Sequence, residues 1–306
     1  MSNRPLNTPL KRALLLAVPF VASYFIVRAL PVRPCDFLHE ESYNLEGELD
    51  YCGPGDAEFI DLTVRKWPMN MVFKPIDKPV KGKPCRFEIH IKQFDGSPLG
   101  PDDIALSHTE KIHLMAINQS LRDYQHLHPE ADELFDGTWR FTMTPERVGE
   151  YKVFLDFIPL RSPRRVLLAA SFRVDGGQNE APNLSEQLES KIGSHTFSIK
   201  AVEDKRAGEE ISLELQAVDQ SGTLVQLTPV MGAFAHLVAF DPELKGFAHL
   251  HPTEDTLPRT INDIYSGPLT FSFVPPEKGV YRLWAQLRIK DEKDETFIPF
   301  DIVVDS

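Results

Sequence analysis

"HLMAINQSLRDYQHLHPE" (His113–Glu130) returns later in the chain as "HLVAFDPELKGFAHLHPT" (His236–Thr253). Laid together without a gap, the two match at 8 of 18 positions, including the leading His-Leu and the closing His-Leu-His-Pro. Each copy is β-rich on both sides of a polar break, "NQSLRD" or "DPELKG". That is the pattern of two strands joined by a turn. Working outward, "CRFEIHIKQF", "GTWRFTMTP", "GEYKVFLDFIP" and "RVLLAASFRV" surround the first copy. The second sits among "HTFSIKAV", "EISLELQAVD", "LTFSFVP", "GVYRLWAQLRI" and "TFIPFDIVV". Short β-rich runs broken by Pro, Gly and Asp predict two tandem β-sandwiches of immunoglobulin-like size. "GEYKVFLDF" echoes "GVYRLWAQL", so the repeat extends beyond the hairpin.

The domain plan follows. Residues 1–30 are a leader or anchor and residues 31–70 a cysteine-containing extension. The first sandwich takes residues 71–175, a linker residues 176–190, and the second sandwich residues 191–306. The linker is announced by "DGGQNEAPN", rich in Gly, Asn and Pro, and "LSEQLES" behind it is expected to add a helical turn or two. At the N-terminus, Arg4, Lys11 and Arg12 precede "ALLLAVPFVASYFIV" (Ala13–Val27), which carries no charge. Fifteen helical residues rise about 22 Å, short of a hydrocarbon core of roughly 30 Å. A signal-peptide core with Val27 and Ala29 before the cleavage point fits this, as does an uncleaved anchor with Arg28 reaching the headgroups. Either way the remainder is expected to be exported, periplasmic or extracellular. In an oxidising compartment Cys35 and Cys52 can staple the extension and leave Cys85 over, or Cys52 can pair with Cys85.

Bulk composition sets limits. With 33 basic and 45 acidic residues in 306, the net charge of −12 argues against nucleic acid as a partner and favours cations. The chain has no P-loop, G-x-S-x-G, H-E-x-x-H or EF-hand loop. Every cysteine precedes the histidine motifs, so a blue-copper thiolate site is not expected.

The histidines carry the functional reading. Alternate strand residues share a face, so His126 and His128 point one way and Leu127 the other. A turn centred near Ser120 sets His113 opposite positions 126–128, and one centred near Glu243 sets His236 opposite positions 249–251. Opposed Cβ atoms stand about 5 Å apart, so three imidazoles converge in each half. Five residues upstream lie His108 in one copy and Met231 in the other, an odd offset that needs a bulge or a loop to reach the same side. The expected ligand sets are His108/His113/His126/His128 and Met231/His236/His249/His251. Imidazole suits copper and zinc, and a thioether leans toward copper. His39, His90 and His195 have no counterpart in the other copy and read as surface or local structure, and Met115 reads as core.

Stretches such as "HLMAINQSLRDYQHLHPE…GEYKVFLDF" and "MGAFAHLVAFDPELKGFAHLHP…GVYRLWAQL" resemble a group of exported bacterial proteins with paired H-L-x-x…H-x-H-P domains. The resemblance covers Met71–Val304 and implies copper or heavy-metal handling. It also implies a cupredoxin-like sandwich similar to that of periplasmic copper-resistance proteins. The expectation is a non-catalytic, extracytoplasmic metal-binding protein, with copper favoured over zinc, whose partners are the ion and an envelope or membrane protein. Its affinity is expected to fall as the pH drops below the imidazole value of about 6.5. The rival is an envelope interaction module in which the histidines only brace a hairpin.

Overall fold

The computed structural model describes residues 8–29, 42–43, 49–50, 59–64, 67, 69–161, 165–178, 180–253 and 256–306. The chain divides into two units, Met1–Asp36 and Phe37–Ser306. The first holds a 22-residue helix, α1 (Thr8–Ala29), with Pro19 inside it. Among the described residues no helix is long and apolar enough to cross a membrane. Cys35 and Cys52 lie outside the described residues, as does His39, while Cys85 is a buried free thiol whose Sγ contacts the Asp77 carbonyl.

The second unit is all-β and duplicated. It opens with the paired strands β1 (Ser42–Tyr43) and β2 (Leu49–Asp50), then β3 (Ile60–Asp61). The first half runs β4 (Asn70–Pro75), β5 (Cys85–Lys92), β6 (His113–Asn118), β7 (Tyr124–Leu127), β8 (Glu130–Ala131), β9 (Thr138–Met143), β10 (Gly149–Phe157) and β11 (Val166–Val174). Its two sheets have the orders β4-β5-β9-β8 and β11-β10-β6-β7. The second half runs β12 (Glu189–Ile192), β13 (His195–Ala201), β14 (Ile211–Val218), β15 (Leu227–Thr228), β16 (Ala235–Phe240), β17 (Gly246–Leu250), β18 (Leu269–Phe273), β19 (Gly279–Ile289) and β20 (Thr296–Val304). Its sheets are β12-β13-β14-β18 and β15-β19-β16-β17-β3, with β20 on the other side of β19. The helical turns expected in "LSEQLES" do not form. Gln187 exchanges backbone hydrogen bonds with Asp301, and the segment runs on into β12.

Period-two alternation fills each sandwich. Leu114, Ala116, Val153 and Leu155 meet Phe87, Ile89 and Phe141 in the first core. Leu237, Ala239, Leu283 and Ala285 meet Leu213, Leu215 and Phe271 in the second. The opposite faces of the same strands are also apolar, and they pack on each other. Met115, Ile117, Tyr124 and Phe154 of the first half form one cluster with Val238, Phe240, Phe247 and Trp284 of the second. This is why all six residues of β6 and all six of β16 are buried. A strand covered on both sides loses the apolar-polar contrast that marks a solvent face.

The two halves meet as a pseudo-two-fold pair, each giving the other the same contact. Lys152 Nζ donates to the Leu244 carbonyl at 2.6 Å, and its counterpart Arg282 Nη1 donates to the Leu121 carbonyl at 2.8 Å. Leu121 and Leu244 are matched positions of the repeat, and both take left-handed backbone in their turns, φ 60° and 52°. Reciprocal contacts are the mark of an isologous interface.

Candidate metal centre

The hairpin arithmetic holds. Leu114 pairs Leu127 and Met115 pairs His126, while in the second half Leu237 pairs Leu250 and Val238 pairs His249. One step further along these registers, His113 stands across from His128 and His236 across from His251. The ring centroids of His113, His126 and His128 are 5.0–5.2 Å apart, and those of His236, His249 and His251 are 4.7–5.5 Å apart. Each triad offers one nitrogen per ring with all three within 4.8 Å of one another, an arrangement that can hold a metal ion. His113, His126, His236 and His249 are buried, and His128 and His251 are partly exposed just beyond the strand ends.

A tight turn stands over the first histidine of each triad. Ser107 and Glu110 exchange backbone hydrogen bonds around His108 and Thr109, whose φ angles are 49° and 71°. Val230 and Ala233 do the same around Met231 and Gly232, at 46° and 76°. Two successive positive φ angles make a two-residue turn of the primed type. The residue that opens each turn turns its carbonyl to a ring: His113 Nε2 donates to Ser107 O at 2.7 Å, and His236 Nε2 donates to Val230 O at 2.9 Å. A proton on each ring is thereby placed on Nε2, toward the turn.

The next ring is pinned from the other half of the molecule. His126 Nδ1 lies 2.8 Å from Gln286 Oε1, and the Gln286 amide nitrogen donates to Glu295. A carboxylate only accepts, so the amide oxygen faces His126 and the ring's Nδ1 is the donor. His126 Nε2 is then the acceptor side of a neutral ring, and it sits 3.1 Å from His113 Nδ1. The two nitrogens stand at hydrogen-bonding distance of each other. Two nitrogens each roughly 2.0–2.1 Å from one ion stand about 2.9–3.4 Å apart for angles of 90–110°, so this hydrogen-bonding gap is also one that a shared cation can span. The second triad repeats the arrangement more loosely. His249 Nδ1 is 3.7 Å from Asp156 Oδ2. His236 Nδ1, His249 Nε2 and His128 Nε2 are buried with no hydrogen-bond partner among the described residues.

Asp156 and Gln286 occupy the same column of the repeat, and each serves the other half's histidine. Neither was singled out from the sequence. The available signal was a polar residue near the end of an apolar strand, in register across from His113 and His236 respectively. Asp156 is also held in a buried ion pair by Arg165, with Nε 2.8 Å from Oδ1.

The two triads adjoin. His126 and His249 have ring centroids 5.4 Å apart, His113 and His249 5.6 Å, and His126 and His236 6.4 Å. His108 departs from its expected place. Its ring is 3.7 Å from that of His251 but 5.9 Å from that of His113, so it leans on the second half's triad rather than its own. The cause is the face-to-face packing, which carries a turn overhanging one sheet onto the other. Met231 takes the matching turn position beside His236 and is partly exposed. His90 instead contacts Thr138 and Glu88, away from the centre.

Burial disfavours charge on these rings. His126 is held well below the usual imidazole value, by burial first and then by His113, His128 and His236. Burial, with His113 and His236, lowers His128 to about 3. Burial lowers His236 to about 4, against the Val230 hydrogen bond, which acts to raise it. His249 and His251 lie well below 6.5, for burial first and then for neighbouring rings and Arg165.

Fold and site together define a duplicated β-sandwich protein with two buried histidine triads set against each other. The chain belongs to the family described as Domain of unknown function (DUF8832), whose model matches residues 70–175 and again residues 190–306. No curated protein matches the chain.

Proposed function

We propose that this is an exported, non-catalytic protein that holds metal ions at His113/His126/His128 and His236/His249/His251 for buffering or delivery outside the cytoplasm. Copper is the favoured ion and zinc the alternative. The observation that carries the reading is the convergence of three imidazoles in each half, with one ring nitrogen from each lying within 4.8 Å of the others. Neutral imidazoles are good donors to both metals, and a thioether at Met231 would favour copper. Carbonyl and amide oxygens behind the rings orient them as partners of metal-bound histidine do. A brace of structural histidines would use the same Ser107 and Val230 carbonyls. It would not need three ring nitrogens converging on one point in both halves. Export rests on the basic flank and apolar run of residues 4–27.

Equilibrium dialysis of the full chain against copper and zinc, beside a His126→Ala/His128→Ala variant, tests the binding. The wild type is expected to take up more ion than the variant, and equal uptake would refute the proposal. Fractionation of cells expressing the full chain tests export, and recovery in the cytoplasmic fraction alone would remove that part.

A further inference from the structure

Resting on that metal-binding reading, we infer that the two triads are one coupled centre that accepts two monovalent cations or one divalent cation, but not two divalent ones. Three structural facts combine. The rings of opposite triads come within 5.4–6.4 Å of each other, so ions held in both would be close neighbours. The donors named for both triads are imidazoles, which bring no negative charge. The carboxylates in reach are already matched: Asp156 by Arg165, and Glu295, which receives the Gln286 amide, by Arg288 at 2.7 Å.

Repulsion scales with the product of the charges, so a pair of divalent ions repels four times as strongly as a monovalent pair at equal spacing, and burial screens it weakly. Sites that hold two divalent ions side by side carry anionic ligands or an anionic bridge. This centre has neutral donors and balanced ion pairs instead. Its two halves are tied through reciprocal partners, Gln286 to His126 and Asp156 to His249, with His108 against His251. An ion in one triad therefore alters the field and the ring positions of the other. The ligand class this selects is a soft monovalent ion of the cuprous or silver type.

Native mass spectrometry of the full chain with silver(I) and, separately, zinc(II) reads the stoichiometry. A variant with His126, His128, His249 and His251 all changed to Ala, which leaves one imidazole in each triad, serves as the baseline that subtracts ions bound to thiols. We expect two more silver ions than the variant but only one more zinc ion. Two additional zinc ions, or a single additional silver, would overturn the coupled-centre inference while leaving metal binding intact. No difference from the variant with either ion would overturn both. Circular dichroism of the variant checks its fold; if it has unfolded, His126→Ala/His128→Ala and His249→Ala/His251→Ala chains replace it, each expected to lose one silver ion.

Discussion

His126 is anchored at one nitrogen and aimed with the other. Gln286, from the opposite half, accepts its Nδ1 proton and so keeps Nε2 as the lone pair toward His113. Replacing Gln286 with Leu removes the acceptor, and loss of such a partner typically costs 10–100-fold in metal affinity. Competition against a chromophoric chelator should show a drop of that size at one of the two triads, and unchanged affinity would mean Gln286 does not orient the ring. The lowered pKa values make a second prediction with a definite sign. Unfolded imidazole titrates near 6.5, while His128 and His236 in the fold titrate near 3 and 4. Between those values the unfolded chain binds more protons, so the metal-free protein has its full histidine contribution above pH 6.5 and loses it as the pH falls. Each ring contributes up to about 1.4 kcal/mol per pH unit in that window. Urea unfolding of metal-free protein should give clearly lower stability at pH 5 than at pH 7.5, and a flat profile would contradict the burial described. The triad members were legible because a strand's period of two and a mirrored turn place them. Their partners were not, because Asp156 and Gln286 act across an interface that spacing does not encode.

At the scale of elements, the offset of five between His108 and His113 is resolved by a primed turn. Thr109 sits at its second corner with φ 71°, where the matching residue is Gly232 at 76°. A β-branched residue is strained there, and left-handed backbone costs an ordinary L-residue about 1–2 kcal/mol. Thr109→Gly should therefore stabilise the fold by about 1 kcal/mol in chemical denaturation, with metal uptake retained. Destabilisation would indicate that Thr109 supplies a compensating contact. Gly246 shows the opposite constraint. A Cβ there would lie 1.7 Å from the Ile60 carbonyl, so Gly246→Ala should push β3 off the edge of β17 and speed amide exchange at Leu62, whose N–H bonds Lys245 O. The strand runs were readable from alternation. The edge strand β3 was not, being only two residues long.

For the molecule as a whole, the repeat announced two sandwiches but not that they would share a third core. β6 and β16 are apolar on both faces, and a sequence whose two faces look alike does not say what covers the second one. The apolar cluster around Phe154, Phe240 and Phe247 covers it, and it places the two triads side by side. Because the centre spans this interface, an ion that binds only the docked form stabilises docking, by about 2.7 kcal/mol at 100 times its dissociation constant. Phe247→Asp, which puts a charge in that cluster, should weaken metal uptake although it removes no donor. Unaltered uptake would show that each half binds alone.

On the proposed function, ions sit between the imidazoles of each half. Anomalous diffraction from crystals grown with copper or zinc tests it most directly. The expected result is a peak at bonding distance from His113 Nδ1, His126 Nε2 and His128, or from the matching nitrogens of His236, His249 and His251. Peaks confined to surface residues, with the triad nitrogens bonded to water or to one another, would contradict it.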